Sequence, residues 1–425
     1  MSEAACKKPW LFSSPEGIAL CHQILQNQLP YCLHDYQLEG VARILDGQNL
    51  VAIIKTGGGK SAYIYMVLIV IQAIQKDKSL CPQAHEAFPL DAAVLLVLPT
   101  TSLQEDQVSL DQMIVHGPHT NLQEAKFTKI GLTVKTINTE TKEEHLDATH
   151  EKDIWKTVVS GVSIISLSPE MLATKELTAL LSKPLFKKRL FALCVDEIYL
   201  LQRWGLSFHL AFLQIGHIRA QLPAKTIFIG LTATLAIGEP FKQVTTFLGL
   251  HERTYHLIRR SNARLDVWLL FRTLRSGRSS TVFPQFNWLL KESGHVLVFC
   301  PTISFVFKVA VYLWHLDPEG VISKQTIQLC NSLHSATYNS ETLALLKGNR
   351  QSQLTITTDK LSVATVVIID PPDVDDLLQK GGRVWRALLL PPQEPKVIVY
   401  LATSSAKKAS EIAEQSVNGG SGNKG

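Results

Sequence analysis

Thr56-Gly57-Gly58-Gly59-Lys60-Ser61 places three glycines and a cation between two apolar runs, LVAII (50–54) and AYIYMVLIVI (62–71). Segments that want burial are joined by the residues best able to let something approach the backbone. The lysine makes that something an anion. A strand, a tight glycine turn and a helix opening at Lys60-Ser61 would gather orphan N–H groups and the positive end of a helix dipole around a phosphate. Lys60 would then reach the β- and γ-phosphates, and the Ser61 hydroxyl would hold Mg²⁺. The general phosphate-loop pattern asks for glycine where this chain has Ile54, and a surface turn carrying GGGKS is the plainer alternative.

Phosphoryl transfer also needs an acid for the metal and one for the attacking water. FALCV-Asp196-Glu197 supplies both at the end of another apolar run, with Asp196 toward Mg²⁺ and Glu197 toward water. Alone, an Asp-Glu pair after a strand is an ordinary solvated end; beside the glycine loop it becomes half of a nucleotide site.

The elements that must position these residues read as α/β. Short β-branched runs alternate with helical patterns: LVAII, AAVLLVL (92–98), VSIISL (162–167), FALCV (191–195) and TIFIGLTA (226–233), then HVLVFC (295–300), LTIT (354–357), VVIID (366–370) and KVIVYLA (396–402). Continuous apolar strands between helices predict parallel sheets covered on both faces. The 425 residues, 46% hydrophobic, are enough for two cores. The arginine-rich stretch 251–290 separates the two groups of strands. The expected layout is an N-terminal extension at 1–29, a first domain at 30–250, a linker at 251–290, a second domain at 291–403 and a disordered tail at 404–425.

Composition narrows the function classes. Seven scattered cysteines with no C-x-x-C pair argue against zinc and against a disulfide framework, and point to a reducing compartment. No apolar run reaches membrane-span length, and the N-terminus lacks the apolar core of a secretory signal. The protein is expected inside the cell, nuclear if eukaryotic and otherwise cytoplasmic. A net charge of +5 is compatible with nucleic acid but does not identify it.

In order, LHDYQLEGVARILDGQNLVAIIKTGGGKS, LPTTSLQEDQV, LSPEML, VDEIYLLQRWGLSFH, GLTAT and QKGGRVWR resemble the motifs of a DEAD/DEAH-box superfamily 2 helicase, and more narrowly those of RecQ helicases. In RecQ enzymes TGGGKS is the usual loop and the position of Ile54 is not glycine. The resemblance spans about residues 30 to 403. It implies two tandem RecA-like P-loop NTPase domains, with parallel sheets flanked by helices, that bind ATP and Mg²⁺. The expected partner is single-stranded or forked DNA, RNA being less favoured.

Carried over by position, the resemblance gives Gln37 an adenine-reading role and adds Thr56 through Ser61 as the phosphate loop. Thr101, Ser102 and Ser168 would lie along the nucleic-acid backbone, with Trp204 and Phe208 stacking on bases. Thr232, Thr234 and Gln379 would couple the nucleotide to the strand. Arg383 and Arg386, in a Q-x-x-G-R-x-x-R pattern, would stabilise charge on the γ-phosphate, Arg386 as the arginine finger. For the aromatics the plainer reading is core packing; for the arginines it is a solvated pair.

Departures from the family pattern weigh on activity. Tyr199 stands where a DEAH motif has histidine, and a phenol does not titrate like an imidazole. In TTDKLSVAT (357–365), Ser362 and Ala364 replace expected glycines, and the segment that follows in the family is shortened. Past residue 403 the chain shows no counterpart of the family's zinc-binding or winged-helix modules, and the long polar stretch 104–160 reads as a surface insertion. The leading expectation is a 3′-to-5′ DNA helicase or translocase. The alternative is a catalytically impaired, nucleotide-regulated nucleic-acid-binding protein. A small-molecule kinase would leave GLTAT and the arginine motif without a role.

Overall fold

The computed structural model describes residues 10–98, 131–138, 154–201, 210–292, 294–316, 326–331, 333–347, 354–358, 365–384, 395–404 and 407. The chain divides into two compact units between Asn262 and Ala263.

The first unit is built on a sheet of β1 (Asn49–Ile53), β2 (Ala93–Val97), β3 (Val134–Ile137), β4 (Ile164–Leu167), β5 (Leu190–Val195), β6 (Ile227–Thr232) and β7 (Tyr255–Arg259). Its order is β3-β4-β2-β5-β6-β1-β7, and every neighbouring pair is parallel. Successive residues of a strand face opposite ways. Leu50 and Ala52 therefore enter one core layer, and Val51 and Ile53 the other. That two-sided burial is why the strands read as unbroken apolar runs.

Helix α3 (Ala62–Lys76) is apolar almost all round, and ten of its fifteen residues are buried. Its surroundings explain this: it lies on the sheet and is covered by α1 (Pro15–Gln28) and α2 (Asp35–Leu45). Helix α1 starts cleanly, with the Ser14 hydroxyl accepting from the Gly17 amide at 3.1 Å and proline in the first turn. It buries Cys21, Ile24 and Leu25. Of the segment 1–29, expected as an extension, the described residues 10–29 thus contribute part of the first unit's core.

The second unit carries β8 (Trp268–Leu274), β9 (Val296–Phe299), β10 (Ile327–Cys330), β11 (Leu354–Thr357), β12 (Thr365–Ile369) and β13 (Lys396–Ala402). The order is β10-β11-β9-β12-β13-β8, again wholly parallel. It too has an apolar layer on each face, one around Phe283, Phe286 and Tyr400, the other around Phe299, Ile368 and Val399.

Residues 251–290, expected as a linker, instead supply a strand to each unit. β7 pairs with β1 from Asn49↔Tyr255 to Ile53↔Arg259, and β8 pairs with β13 from Lys396↔Trp268 to Ala402↔Leu274. Both stand at a sheet edge, where alternation is weak and arginines are tolerated. Within 104–160, Val134–Ile137 forms the opposite edge of the first sheet and Ile154–Thr157 is helical. The other residues of that stretch lie mostly outside the described residues. Among the described residues, no helix is long and apolar enough to cross a membrane.

Candidate nucleotide site

In a parallel sheet all strand ends of one kind share an edge, and ligands bind beyond the carboxyl ends. β5, β6 and β1 are neighbours. Their carboxyl ends deliver the Asp196-Glu197 pair, Thr232 to Thr234 and the glycine loop side by side.

The loop has left-handed glycines at Gly57 (φ 82°) and Gly59 (φ 74°), with Gly58 between them outside that region. Gly58 closes a turn, its N–H donating to the Lys55 carbonyl at 2.9 Å. Ile54, the residue that breaks the general pattern, is buried beneath the loop. A Cβ on Gly58 would stand 2.6 Å from Ile54 Cγ2, so the bulky residue at one position makes glycine obligatory four residues later. The Ser61 hydroxyl makes no capping bond at the start of α3.

Lys60 Nζ lies 3.9 Å from Glu197 Oε1, and both side chains are largely buried, 11% and 7% exposed. Asp196 is fully buried. Its Oδ1 accepts from the Glu197 amide at 2.9 Å, and its own N–H donates to the Val97 carbonyl at 3.0 Å. Glu197 adopts φ 53°, a left-handed conformation uncommon outside glycine and asparagine. The bend turns the chain off β5 so that its carboxylate reaches Lys60. The Thr232 hydroxyl is 3.5 Å from Glu197 Oε2 and 2.9 Å from the Thr234 carbonyl. Thr234's own hydroxyl is buried and, among the described residues, has no hydrogen-bond partner. Burial, and then the charge of Asp196, push the Cys194 thiol well above its usual range, so the cysteine beneath the acid pair stays neutral.

Gln37 is buried, 2% exposed. Its Oε1 accepts from the His34 amide at 3.0 Å and its Nε2 donates to the Gly59 carbonyl at 3.1 Å. The side chain expected to read adenine therefore braces the loop. Beside it, the Tyr36 hydroxyl donates to the Gly58 carbonyl at 2.8 Å. Tyr63, from α3, donates in turn to the Tyr36 carbonyl at 2.7 Å. Tyr36 escaped the motif reading; its one sequence signal is an aromatic directly before Gln37.

The donor set suits Mg²⁺, which keeps several waters and takes one or two protein oxygens plus phosphate oxygens. Ser61 and Asp196 are the pair expected to hold it, and among the described residues no cluster of three or more His, Cys, Asp or Glu side chains is placed to hold a metal by itself.

Other expected residues lie elsewhere. Ser168, at the end of β4, is buried and its hydroxyl donates to the Glu170 carboxylate, so that hydroxyl is engaged within its own turn. Tyr199 is buried in the core layer formed with Val195, Ile198 and Phe228. In the second unit, Gln379 lies on the helix Val374–Gly381, and its amide nitrogen is buried without a partner among the described residues. Arg383, just past that helix, is only 5% exposed, unlike the solvated arginine of the plainer reading. Thr101, Ser102, Trp204, Phe208 and Arg386 lie outside the described residues.

The DEAD/DEAH box helicase family matches residues 34–242. The chain is 27% identical over 199 residues to ATP-dependent DNA helicase Q1 of Rattus norvegicus, a match covering 47% of this chain and 26% of the rat protein. It is 24% identical over 399 residues to the probable ATP-dependent DNA helicase RecS of Bacillus subtilis, covering 89% of this chain and 68% of that one. Among solved structures, Mycobacterium smegmatis helicase Lhr bound to ssDNA and AMP-PNP aligns at TM-score 0.62 and 17% identity, over 90% of this chain and 47% of Lhr. The helicase MrfA bound to DNA and AMPPNP aligns at 0.62 and 15%, over 94% of this chain and 52% of MrfA. Residues 34–242 are a DEAD/DEAH box helicase domain with RecQ-family relatives, and the chain as a whole has the fold of two tandem RecA-like domains.

Proposed function

We propose that the protein is an ATP-dependent 3′-to-5′ DNA helicase or translocase of RecQ type. The observation that carries this reading is the convergence of Lys60, Asp196, Glu197 and Thr232 above a glycine loop whose backbone is already held in place.

Bound Mg²⁺, held by Ser61 and Asp196, would supply charge neutralisation between the β- and γ-phosphates. Lys60 then moves from Glu197 to the phosphates, which are the stronger anion. That releases the Glu197 carboxylate to orient and deprotonate the attacking water. The hydroxyl of Thr232 has one proton and two acceptors, Glu197 and the Thr234 carbonyl. It can therefore transmit a change at Glu197 to the segment after β6. Arg383 and Arg386 are the proposed source of positive charge at the γ-phosphate. Trp204 and Phe208 would stack on single-stranded DNA, and forked DNA is the expected substrate for unwinding.

Steady-state ATP hydrolysis with and without single-stranded DNA, using Lys60→Ala as control, tests this reading. Strand-stimulated turnover that vanishes in the variant is expected, followed by unwinding of 3′-tailed but not 5′-tailed duplexes. Turnover unchanged in Lys60→Ala would overturn the site.

A second reading, a nucleotide-regulated DNA-binding protein without motor activity, draws on one observation. Tyr199, at the position of the coupling histidine, is a phenol buried in the core layer and does not titrate like an imidazole. Bound ATP and DNA without turnover would favour it.

A further inference from the structure

Tyr36 and Gln37 are consecutive residues in the first turn of α2, and they grip consecutive peptides of the glycine loop. The Tyr36 hydroxyl takes the Gly58 carbonyl at 2.8 Å and the Gln37 amide takes the Gly59 carbonyl at 3.1 Å. A trans peptide points its C=O and the following N–H in opposite directions. Drawing both carbonyls toward α2 therefore sends the N–H groups of Gly59 and Lys60 to the other side. Gly58 and Gly59, one outside and one inside the left-handed region, have the alternation that makes successive N–H groups concave toward an anion. The Tyr36 ring is itself held: His34 stacks on it (centroids 4.9 Å apart, planes 15°), and the Arg260 guanidinium lies 5.2 Å over it. The Arg260 main chain is anchored by its backbone N–H, which donates to the carbonyl of Ile53, the last residue of β1, at 2.9 Å.

We infer that Tyr36 is a positioning residue that presets the phosphate loop for a polyphosphate through its hydroxyl on Gly58, with Arg260 strengthening that grip through the ring. The inference rests on the nucleotide reading of the site and deepens it. The role is toward phosphate, not base: the hydroxyl touches loop backbone, and removing it while keeping the ring leaves any stacking surface intact. A cation over the ring favours the phenol as a donor, so Arg260 acts on phosphate through Tyr36.

Calorimetric titration of the full chain with inorganic tripolyphosphate, ATP and adenosine tests this in wild type, Tyr36→Phe, Arg260→Gln, the double variant and Lys60→Ala. Tyr36→Phe should weaken tripolyphosphate and ATP by the same factor, roughly three- to tenfold, the weight of one neutral hydrogen bond, and leave adenosine unchanged. Arg260→Gln should weaken tripolyphosphate by about two- to fivefold in the wild-type background and add nothing in Tyr36→Phe. Unchanged tripolyphosphate affinity in Tyr36→Phe, or a loss confined to adenosine, would overturn the role of Tyr36. Additive losses would overturn the path from Arg260 through the ring. If wild type binds no tripolyphosphate, or Lys60→Ala binds it equally well, the nucleotide reading itself fails. Lys60-dependent binding that ignores Tyr36 sinks this inference alone.

Discussion

Gly59→Ala probes whether Gln37 and the glycine loop form one unit. Gly59 has φ 74°, and an alanine there costs about 1–2 kcal/mol from the left-handed backbone alone. Its Cβ would also stand 2.4 Å from Gln37 Nε2. The amide has no open side to swing into, because Gln37 is buried and tied at both ends. Moving it breaks two neutral hydrogen bonds, about 0.5–1.5 kcal/mol each. The substitution should therefore cost about 2–5 kcal/mol of first-unit stability. In a Gln37→Ala background the clash and both bonds are already gone, and only the backbone part, about 1–2 kcal/mol, should remain. Urea unfolding of the four proteins, followed by far-UV circular dichroism, gives the coupling directly. An interaction of about 1–3 kcal/mol is expected. If Gly59→Ala costs the same in both backgrounds, within about 0.5 kcal/mol, the added methyl does not meet Gln37 and the bracing role is wrong.

Two predictions concern the scaffold. Burial, then the charge of Asp46, raises the Cys21 thiol from 9.0 to about 12. A group raised in the folded state stabilises fully below its unfolded value and loses that contribution as pH climbs through the folded one. Stability should thus fall by up to about 1.4 kcal/mol per pH unit between pH 9 and 12, and Cys21→Ala should lessen that slope; an unchanged slope would place the titration elsewhere. Arg189 is buried, donating to the Asp91 carboxylate at 2.9 Å and to the carbonyls of Asp91, Val158 and Val162. Arg189→Met keeps the stem and orphans those carbonyls, whereas Asp91 is half exposed and rehydrates. The expected loss is about 2–4 kcal/mol in chemical denaturation, with tripolyphosphate affinity unchanged, since Arg189 precedes β5 at the end of the sheet away from the site; a shift in that affinity would show that the two ends communicate.

What the sequence disclosed and what it hid follow from the range of the interactions. The glycine loop, β1 and the acid pair were legible because each is a local pattern: an apolar run, then residues whose backbone or charge requires a ligand. β7 and β8 were not, because edge strands need not alternate. β8 is the extreme case: Trp268, Leu269, Leu270 and Phe271 are all exposed, Trp268 by 61%, so the apolar run carries no burial signal on either face. Ile54 looked like a defect in the loop pattern until its side chain was seen under Gly58. Arg383 reads the same in sequence whether solvated or buried.

Two of the three loop glycines are required from outside the loop, while Gly57 meets no neighbour and is set by its own φ of 82°. Gly58 must be glycine because Ile54 fills the space below it, and Gly59 because Gln37, twenty-two residues earlier, fills the space beside it. Gly58 and Gly59 each answer a separate neighbour, one from the core and one from α2. Relaxing one neighbour should therefore free its own glycine and leave the other obligatory. Ile54→Val, which keeps Cγ2, should still exclude alanine at position 58. Ile54→Ala should lessen that exclusion while doing nothing for position 59, because the Gln37 amide and φ 74° at Gly59 remain as they were. A loop whose glycines were needed only for flexibility would show no such pairing. Stability measurements on the single and paired substitutions distinguish the two accounts, and equal penalties at position 58 in all three backgrounds would return the triplet to a matter of chain freedom.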